Sequence, residues 1–189
     1  MKGPEGPRLT GGIAKGRQLF SVPGRDVRPA LARMRISVFE ILRPRLDGAT
    51  VVDLFAGTGC LGLEALSRGA ARALFYDVDR RSLEAATKNL ERLGFAAKGQ
   101  AQYGDAFEVA GRLEPADLVF VDPPYDFYVD RAADMRGLLE TLLGRVLRGP
   151  EARVMAEHRL REGVGDVAGG QVVDERKYGD TVVTFYSRR

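Results

Sequence analysis

One short segment decides the fold: DLFAGTGCLGLE, Asp53–Glu64. It contains the spacing Gly57-x-Gly59-x-x-Gly62 directly after TVVDLF, an apolar run that predicts a buried strand. A glycine-rich turn between a strand and a helix lets a nucleotide cofactor approach the backbone and the N-terminus of the helix. The glycine spacing alone is a weak signal, because more than one cofactor class uses it. We interpret Gly62 as a helix-packing position.

Strands and helices alternate on the C-terminal side of this turn. Apolar runs predict strands at residues 50–55, 71–79, 98–106, 116–125 and 152–158. Amphipathic segments predict helices at residues 60–69, 80–94 and around 135–147, the first two ending at glycines. Residues 171–189 predict two more strands joined by a turn at 177–180. We therefore expect an α/β fold with a mainly parallel seven-stranded sheet and an antiparallel C-terminal hairpin.

The N-terminal segment differs from the rest in pattern and charge. Residues 8–24 predict a β-hairpin arm, and residues 28–46 predict a helix that ends at Pro44. Residues 1–45 carry ten basic and three acidic side chains, a net charge of +7, whereas the whole chain carries +3. We divide the chain into an arm at 1–27 and a main domain at 28–189, and the basic arm suggests contact with a polyanion.

Composition limits the function classes. The chain has 189 residues, enough for one well-buried domain, and no apolar run approaches the length of a membrane span. The N-terminus lacks the apolar stretch of a secretory signal, and the single cysteine, Cys60, cannot form an internal disulfide. The sequence also shows no cluster of metal ligands. We expect a cytoplasmic monomer that contacts no membrane and holds no metal.

Three features favour S-adenosylmethionine over a dinucleotide. Asp53 lies just before the turn, where a carboxylate would repel a pyrophosphate but compensate the ammonium of a methionine moiety. The motif DPPY, Asp122–Tyr125, lies where the predicted strand at 116–125 should end. No residues remain for the second domain that a hydride-transfer enzyme usually needs. Asp77, 20 residues after Gly57, fits the ribose hydroxyls in either case.

Together, DLFAGTG, Asp77 and DPPY resemble the class I S-adenosylmethionine-dependent methyltransferases that modify exocyclic amino groups, with a Rossmann-like fold. An exocyclic base amine is a poor nucleophile, so acceptors must draw its N–H groups while the nitrogen is held in line with the methyl group. Asp105 suits either the adenine amino group or a helix N-cap. The predicted catalytic residues are Asp122, Pro123, Pro124 and Tyr125, with Asp122 and the Pro123 carbonyl as acceptors and Tyr125 stacking the base. The predicted cofactor-binding residues are Asp53, Phe55, Ala56, Gly57, Thr58, Gly59, Asp77, Val78, Asp105, Ala106 and Asp122.

The resemblance extends over roughly residues 9–186. LTGGIAKGRQL, RPALARMRISVFEIL, DLFAGTGCLGLEALSRGA, VDPPY and KYGDTVVTFY are similar in order and spacing to the RsmD family of 16S ribosomal RNA guanine-N2 methyltransferases. The resemblance implies a substrate guanine in small-subunit RNA, within an assembled or assembling 30S particle and its ribosomal proteins. The chain departs from the family at residues 30–32, which are Ala-Leu-Ala where relatives carry polar side chains. Candidate phosphate contacts are Arg17, Arg28, Arg33 and Arg35.

Two alternative functions stay open at the level of sequence. DNA adenine-N6 methyltransferases use the same four-residue motif but usually carry a separate target-recognition region. A non-catalytic RNA-binding assembly factor could keep the fold, although the intact DPPY argues against it. Methylation of a ring carbon needs a cysteine nucleophile, and we interpret Cys60 as a small filler in the turn. We interpret His158 as a surface or hinge residue and not as a base.

Overall fold

The computed structural model describes residues 5–22 and 29–189. Its strands are β1 Glu5–Arg8, β2 Gln18–Phe20, β3 Thr50–Asp53, β4 Arg72–Asp77, β5 Gly99–Tyr103, β6 Leu118–Val121, β7 Arg153–Arg159, β8 Gly170–Tyr178 and β9 Thr181–Arg188. Its α-helices are α1 Pro29–Leu42, α2 Cys60–Ser67, α3 Arg80–Leu93, α4 Ala106–Val109, α5 Phe127–Asp130 and α6 Ala132–Thr141. Arg28, and with it the predicted boundary between the arm and the main domain, lies outside the described residues.

The main sheet has seven strands in the order β5-β4-β3-β6-β7-β9-β8. Strands β3 to β7 pair in parallel, whereas β9 pairs antiparallel with both β7 and β8. Strands β1 and β2 form a separate antiparallel pair. The predicted fold, a Rossmann-like parallel sheet with an antiparallel C-terminal hairpin and a small N-terminal β-structure, is confirmed. The carboxyl ends of the parallel strands meet at one edge, which we call the site edge.

The helix ends follow from local chemistry. Asp79 caps α3 by accepting a hydrogen bond from the Arg81 N–H, and Gly94 ends this helix in the left-handed conformation at φ +76°. The prediction that Pro44 ends α1 is confirmed. The helix stops at Leu42 and a 3₁₀ turn spans Arg43–Arg45, because Pro44 has no N–H to continue the hydrogen-bond ladder.

Apolar clusters cover both faces of the main sheet. Helices α1, α2 and α3 pack on one face, where the rings of Phe39 and Phe120 meet edge to face at 5.8 Å. Helices α4 and α6 pack on the other face. Leu9 and Leu19 of the N-terminal segment are buried in the first cluster, so this segment contributes to the core. Within residues 5–22 and 29–189, none of the helices has the length and apolar character needed to cross a bilayer.

Candidate active site

The glycine turn after β3 requires two left-handed backbone positions. Gly57 has φ +53° and Gly59 has φ +87°, values that cost little only for glycine. Gly59 is the N-cap of α2, so the turn leads directly into the helix N-terminus. The turn is also tied to the neighbouring strand, because the Ala56 N–H donates to the Tyr76 carbonyl at 3.0 Å. The backbone of this turn is therefore fixed at the site edge.

Gly62 packs α2 against the sheet, as the sequence predicted. A Cβ at this position would lie 2.3 Å from Cε1 of Phe75 in β4, far inside van der Waals contact. Its N–H donates to Asp53 Oδ2 at 3.1 Å. The third glycine of the motif thus serves helix–strand packing and holds the carboxylate that precedes the turn.

Asp53 is a buried acid with one unpaired oxygen. Its side chain is 1% exposed, and Oδ1 has no hydrogen-bond partner within the described residues. Burial raises the pKa of Asp53 to about 7; the Gly62 N–H opposes this shift, and the negative charge of Asp77 adds to it. A cation placed beside Oδ1 would supply the missing partner and favour the ionised form.

Asp77 ends β4 and holds the turn from the other side. Its Oδ2 accepts a hydrogen bond from the Gly57 N–H at 2.6 Å, and its Oδ1 accepts one from the Asp79 N–H at 2.8 Å. Asp105 occupies the corresponding position after β5. It is the N-cap of α4, accepting a hydrogen bond from the Phe107 N–H at 2.9 Å, so the capping role is observed. Its contact with a cofactor stays a prediction.

A cavity of about 350 Å³ opens between these residues, a size typical of small-molecule sites. Several predicted site residues line it: Phe55, Asp77, Val78, Asp105, Ala106, Asp122, Pro123 and Pro124. Other predicted residues shape the adjoining backbone without lining the cavity: Asp53, Ala56, Gly57, Thr58, Gly59 and Tyr125. Sequence reasoning missed the remaining lining residues: Leu54, Asp79, Gly104, Phe107, Phe127 and Arg131.

The missed residues include most of an aromatic wall. The rings of Phe55, Phe107 and Phe127 lie 6.1–6.2 Å apart, centroid to centroid. The Arg131 guanidinium lies 3.9 Å from the Phe107 centroid and 5.2 Å from that of Phe127. A flat apolar wall with a cation at its edge can pack against a heteroaromatic ring. A signal was present in the sequence, since each phenylalanine lies two residues after a predicted site residue.

Tyr125 is held by contacts to the antiparallel end of the sheet. Its O–H donates to Glu157 Oε1 at 2.9 Å and lies 3.0 Å from Thr181 Oγ1. Burial raises the pKa of Tyr125 to about 12, which keeps the phenol protonated as a donor. The Arg159 guanidinium lies 5.1 Å from the ring centroid. The phenol is thus fixed in orientation, and its stacking on a base stays a prediction.

Glu157 and Arg35 form a buried polar region beneath this tyrosine. Glu157 is 3% exposed; burial raises its pKa, whereas the Tyr125 hydrogen bond and the charge of Arg35 oppose that shift. Arg35 is 6% exposed and donates from its guanidinium to the Arg8 carbonyl at 3.1 Å. The prediction that Arg35 contacts phosphate is therefore wrong for this structure, because a buried guanidinium is closed to an RNA backbone.

The other predicted phosphate contacts lie in different places. Arg33 is exposed on α1. Arg17 is also exposed, and it donates to the Arg92 carbonyl at 3.1 Å, beside the C-terminal end of α3. Arg28 lies outside the described residues.

His158 and Cys60 both lie inside the protein to different degrees. The surface or hinge position predicted for His158 is wrong: the ring is buried, with Nε2 2.9 Å from Thr184 Oγ1 and Nδ1 2.8 Å from the Arg159 carbonyl oxygen. Cys60 is partly buried, and burial raises the pKa of its thiol to about 11. The thiol stays protonated at neutral pH, as its interpretation as a filler requires.

A glycine turn after β3, an acid ending β4 and a DPPY motif after β6 occupy one edge of a seven-stranded Rossmann-like sheet. This combination defines the protein class as a Rossmann-like methyltransferase. Residues 7–187 match the family model described as "Conserved hypothetical protein 95". The chain belongs to this family, the RsmD family that its motifs predicted.

Similar proteins cover almost the whole chain. "Ribosomal RNA small subunit methyltransferase D" of Escherichia coli (strain K12) is 33% identical over 187 residues, 96% of this chain and 89% of the relative. "Putative rRNA methyltransferase YlbH" of Bacillus subtilis (strain 168) is 32% identical over 190 residues, 96% of this chain and 99% of the relative. The solved structure "Putative methyltransferase yhhF from Escherichia coli" superposes with a TM-score of 0.82 at 30% identity, covering 96% of this chain and 97% of that one.

Proposed function

We propose that this protein transfers a methyl group from S-adenosylmethionine to the exocyclic N2 amine of a guanine in small-subunit ribosomal RNA. The observation that carries the proposal is the DPPY motif, Asp122–Tyr125, whose first three residues line the cavity at the site edge. The names of relatives that cover almost the whole chain support ribosomal RNA as the substrate. The enzyme acts as a cytoplasmic monomer on an assembled or assembling 30S particle.

The residues present fit S-adenosylmethionine. Asp53 Oδ1 is a buried acceptor without a partner among the described residues, which suits the cationic methionine end. Asp77 suits the ribose hydroxyls, since each of its oxygens keeps acceptor capacity beyond one backbone N–H. The wall of Phe107 and Phe127 suits the adenine ring. When bound, this cofactor supplies an electrophilic methyl group on a sulfonium.

The target amine is activated by acceptors at the end of β6. Asp122 accepts one N–H of the amine and the Pro123 carbonyl accepts the other, which lets the nitrogen pyramidalise toward the methyl group. Both residues line the cavity, and the fixed φ of proline limits how the motif's backbone can move. Tyr125 stacks the base, and its anchored O–H sets the plane of the ring. A guanine paired within a helix must first leave its stack.

The test is incubation with labelled S-adenosylmethionine and 30S particles, naked small-subunit RNA or duplex DNA, followed by nucleoside analysis. Labelled N2-methylguanosine from particles is expected. Labelled N6-methyladenine in DNA would identify a DNA adenine methyltransferase instead. Binding to particles without any transfer of label would identify an assembly factor.

Asp122→Ala tests the assigned acceptor. We expect transfer to fall by about 10²–10³-fold, the loss typical of one removed acceptor or donor in a transition state. Cofactor binding should persist although Asp122 is also a predicted cofactor contact, because Asp53 and Asp77 stay in place. Asp126→Ala is the matched control, because Asp126 is an exposed acid four residues along that does not line the cavity. Activity of Asp122→Ala within a few-fold of wild type would remove Asp122 from the mechanism.

A further inference from the structure

The antiparallel end of the sheet adjoins the DPPY motif. Tyr125 contacts Glu157 of β7 and Thr181 of β9 through its O–H, and the Arg159 guanidinium lies over its ring. Arg159 and Thr181 are direct partners across the two strands. The residues beyond β7 and around the β8–β9 turn therefore lie next to the proposed base-stacking ring.

The segment after β7 adds a further cation to this region. Tyr178 pairs with the first residue of β9, at the turn that joins β8 and β9. The Leu160 N–H donates to the Asp180 carbonyl at 2.9 Å, which places the segment after β7 against the turn. Arg161 follows in this segment and is exposed.

Helix α1 completes the region. The Tyr178 O–H donates to Ser37 Oγ at 2.6 Å, which joins the β8–β9 turn to this helix. Arg33 lies four residues before Ser37 and therefore on the same face of α1, one turn away. Arg33 is exposed, so its guanidinium extends the cationic region from the segment after β7 onto the helix.

We define the basic rim as Arg33, Arg159 and Arg161. All three side chains are exposed, and no ion pair joins any of them to a carboxylate in the described part of the chain. The nearby Arg176, by contrast, pairs with Asp174 at 2.9 Å and is not counted. The acids Asp180 and Glu162 in the same segments leave the region with a net positive charge.

We propose that the basic rim binds the RNA phosphates that flank the target guanine. The inference rests on the proposed function, because the rim borders the ring assigned to that base. Unpaired exposed cations suit phosphates, since each contact releases counterions without first breaking an ion pair. The rim also gives RNA register and orientation relative to the pocket, which is the general role of phosphate contacts.

Arg17 of the N-terminal arm, a candidate phosphate contact from the sequence, lies elsewhere. Arg17 contacts the carbonyl of Arg92 near the C-terminal end of α3. The N-terminal end of α3 lies at the site edge, where its cap Asp79 lines the cavity. A helix of 14 residues is about 21 Å long. Arg17 is therefore remote from the target pocket, whereas the basic rim adjoins it.

The test compares RNA binding by charge-reversal variants over a series of salt concentrations, with a fluorescent fragment of small-subunit ribosomal RNA as the probe. The rim variant is Arg33→Glu with Arg161→Glu; Arg159 is left unchanged because it covers Tyr125. We expect affinity to fall at least about tenfold near 0.1 M salt and the slope of log K against log salt to decrease by about 2. Lys98→Glu is the matched control, because Lys98 is exposed before β5, at the opposite edge of the sheet.

The rim proposal is overturned if the rim variant keeps the wild-type affinity and salt slope, or if wild type does not bind the probe. It is also overturned if Arg17→Glu gives the larger loss. If the rim variant lost methylation of particles but kept its affinity for the RNA probe, the rim would contact a ribosomal protein and not RNA, which also contradicts the proposal. A rim-dependent salt slope without methyl transfer by wild type would refute the proposed function and support the rim. Methylation of guanine by wild type, together with an unchanged RNA affinity and salt slope in the rim variant, would support the proposed function and refute the rim.

Discussion

Asp53→Asn should separate the stability of the fold from its proposed function. Burial raises the pKa of Asp53 from 3.8 to about 7. A shift of about 3 units corresponds to about 4 kcal/mol of differential interaction between the two protonation states. Because the folded-state pKa is the higher one, the unfolded chain ionises first as the pH rises. The free energy of unfolding of the wild-type protein therefore falls as the pH rises from 4 to 7, and it levels off above pH 7.

Asparagine keeps the shape and carries no charge at any of these pH values. The free energy of unfolding of Asp53→Asn, taken relative to that of wild type, should therefore rise by about 2–3 kcal/mol from pH 5 to pH 8. The absolute gain at pH 8 is smaller than the full 4 kcal/mol, because a buried amide N–H beside the unpaired Oδ1 position costs about 1–3 kcal/mol. The cost of the buried amide is the same at every pH, so it cancels when the stability difference between the two proteins is compared at two pH values.

Urea unfolding of the cofactor-free protein at pH 5, 6, 7 and 8 measures this difference. Asp126→Asn serves as the control, since Asp126 is exposed and does not line the cavity. The same Asp53→Asn protein should bind S-adenosylmethionine more weakly than wild type at pH 8 and with little pH dependence. An equal stability difference at pH 5 and pH 8 would refute the argument that burial raises the pKa of Asp53 to about 7.

Three further predictions concern side chains that the site depends on. Glu157→Gln should raise the KM for RNA without changing cofactor affinity, and its effect should be non-additive with that of Tyr125→Phe, because both remove parts of one anchor; additive effects in steady-state kinetics would contradict this. Gly62→Ala should lower the free energy of unfolding by about 1–3 kcal/mol, since the new Cβ collides with Phe75; an unchanged thermal midpoint would argue against that packing role. Arg131→Ala should weaken cofactor binding by about 0.5–2 kcal/mol in calorimetry, the range for a cation over aromatic rings, and unchanged binding would exclude this contact.

The sheet and the cofactor turn could be predicted because their signals are local. The alternation of apolar strands and amphipathic helices gives a parallel sheet, and the carboxyl ends of such strands meet at one edge. Asp53, Asp77 and Asp122 could thus be placed together although they are far apart in the chain. Gly62 could be assigned to packing because a helix that follows a turn this tightly must approach the strand beside it.

Side-chain orientation could not be predicted where the partner comes from a distant segment. Arg35 lies off the apolar stripe of α1, but the Arg8 carbonyl covers it from 27 residues away. His158 has no neighbour in the sequence that indicates burial, and its partner Thr184 lies on a strand 26 residues later. Tyr125 carries a motif signal, whereas its anchor Glu157 is 32 residues away. In each case a hydrogen bond across the tertiary structure overrides the local pattern.

The acidic site edge suits one of the two proposed ligands and opposes the other, because the cofactor is a cation and RNA is a polyanion. Asp53, Asp77, Asp105 and Asp122 gather at the site edge, so the pocket and its surroundings attract a cation and repel phosphate. Under the proposed function RNA brings a guanine to the same edge, so the phosphates on either side of that guanine must lie outside the pocket. The basic rim offers that place beside Tyr125, because its exposed cations form no ion pair within residues 5–22 and 29–189. Because a bound cationic cofactor would lower the negative charge of the pocket, we expect cofactor binding to favour the approach of RNA, so that the two ligands assist each other without a direct contact.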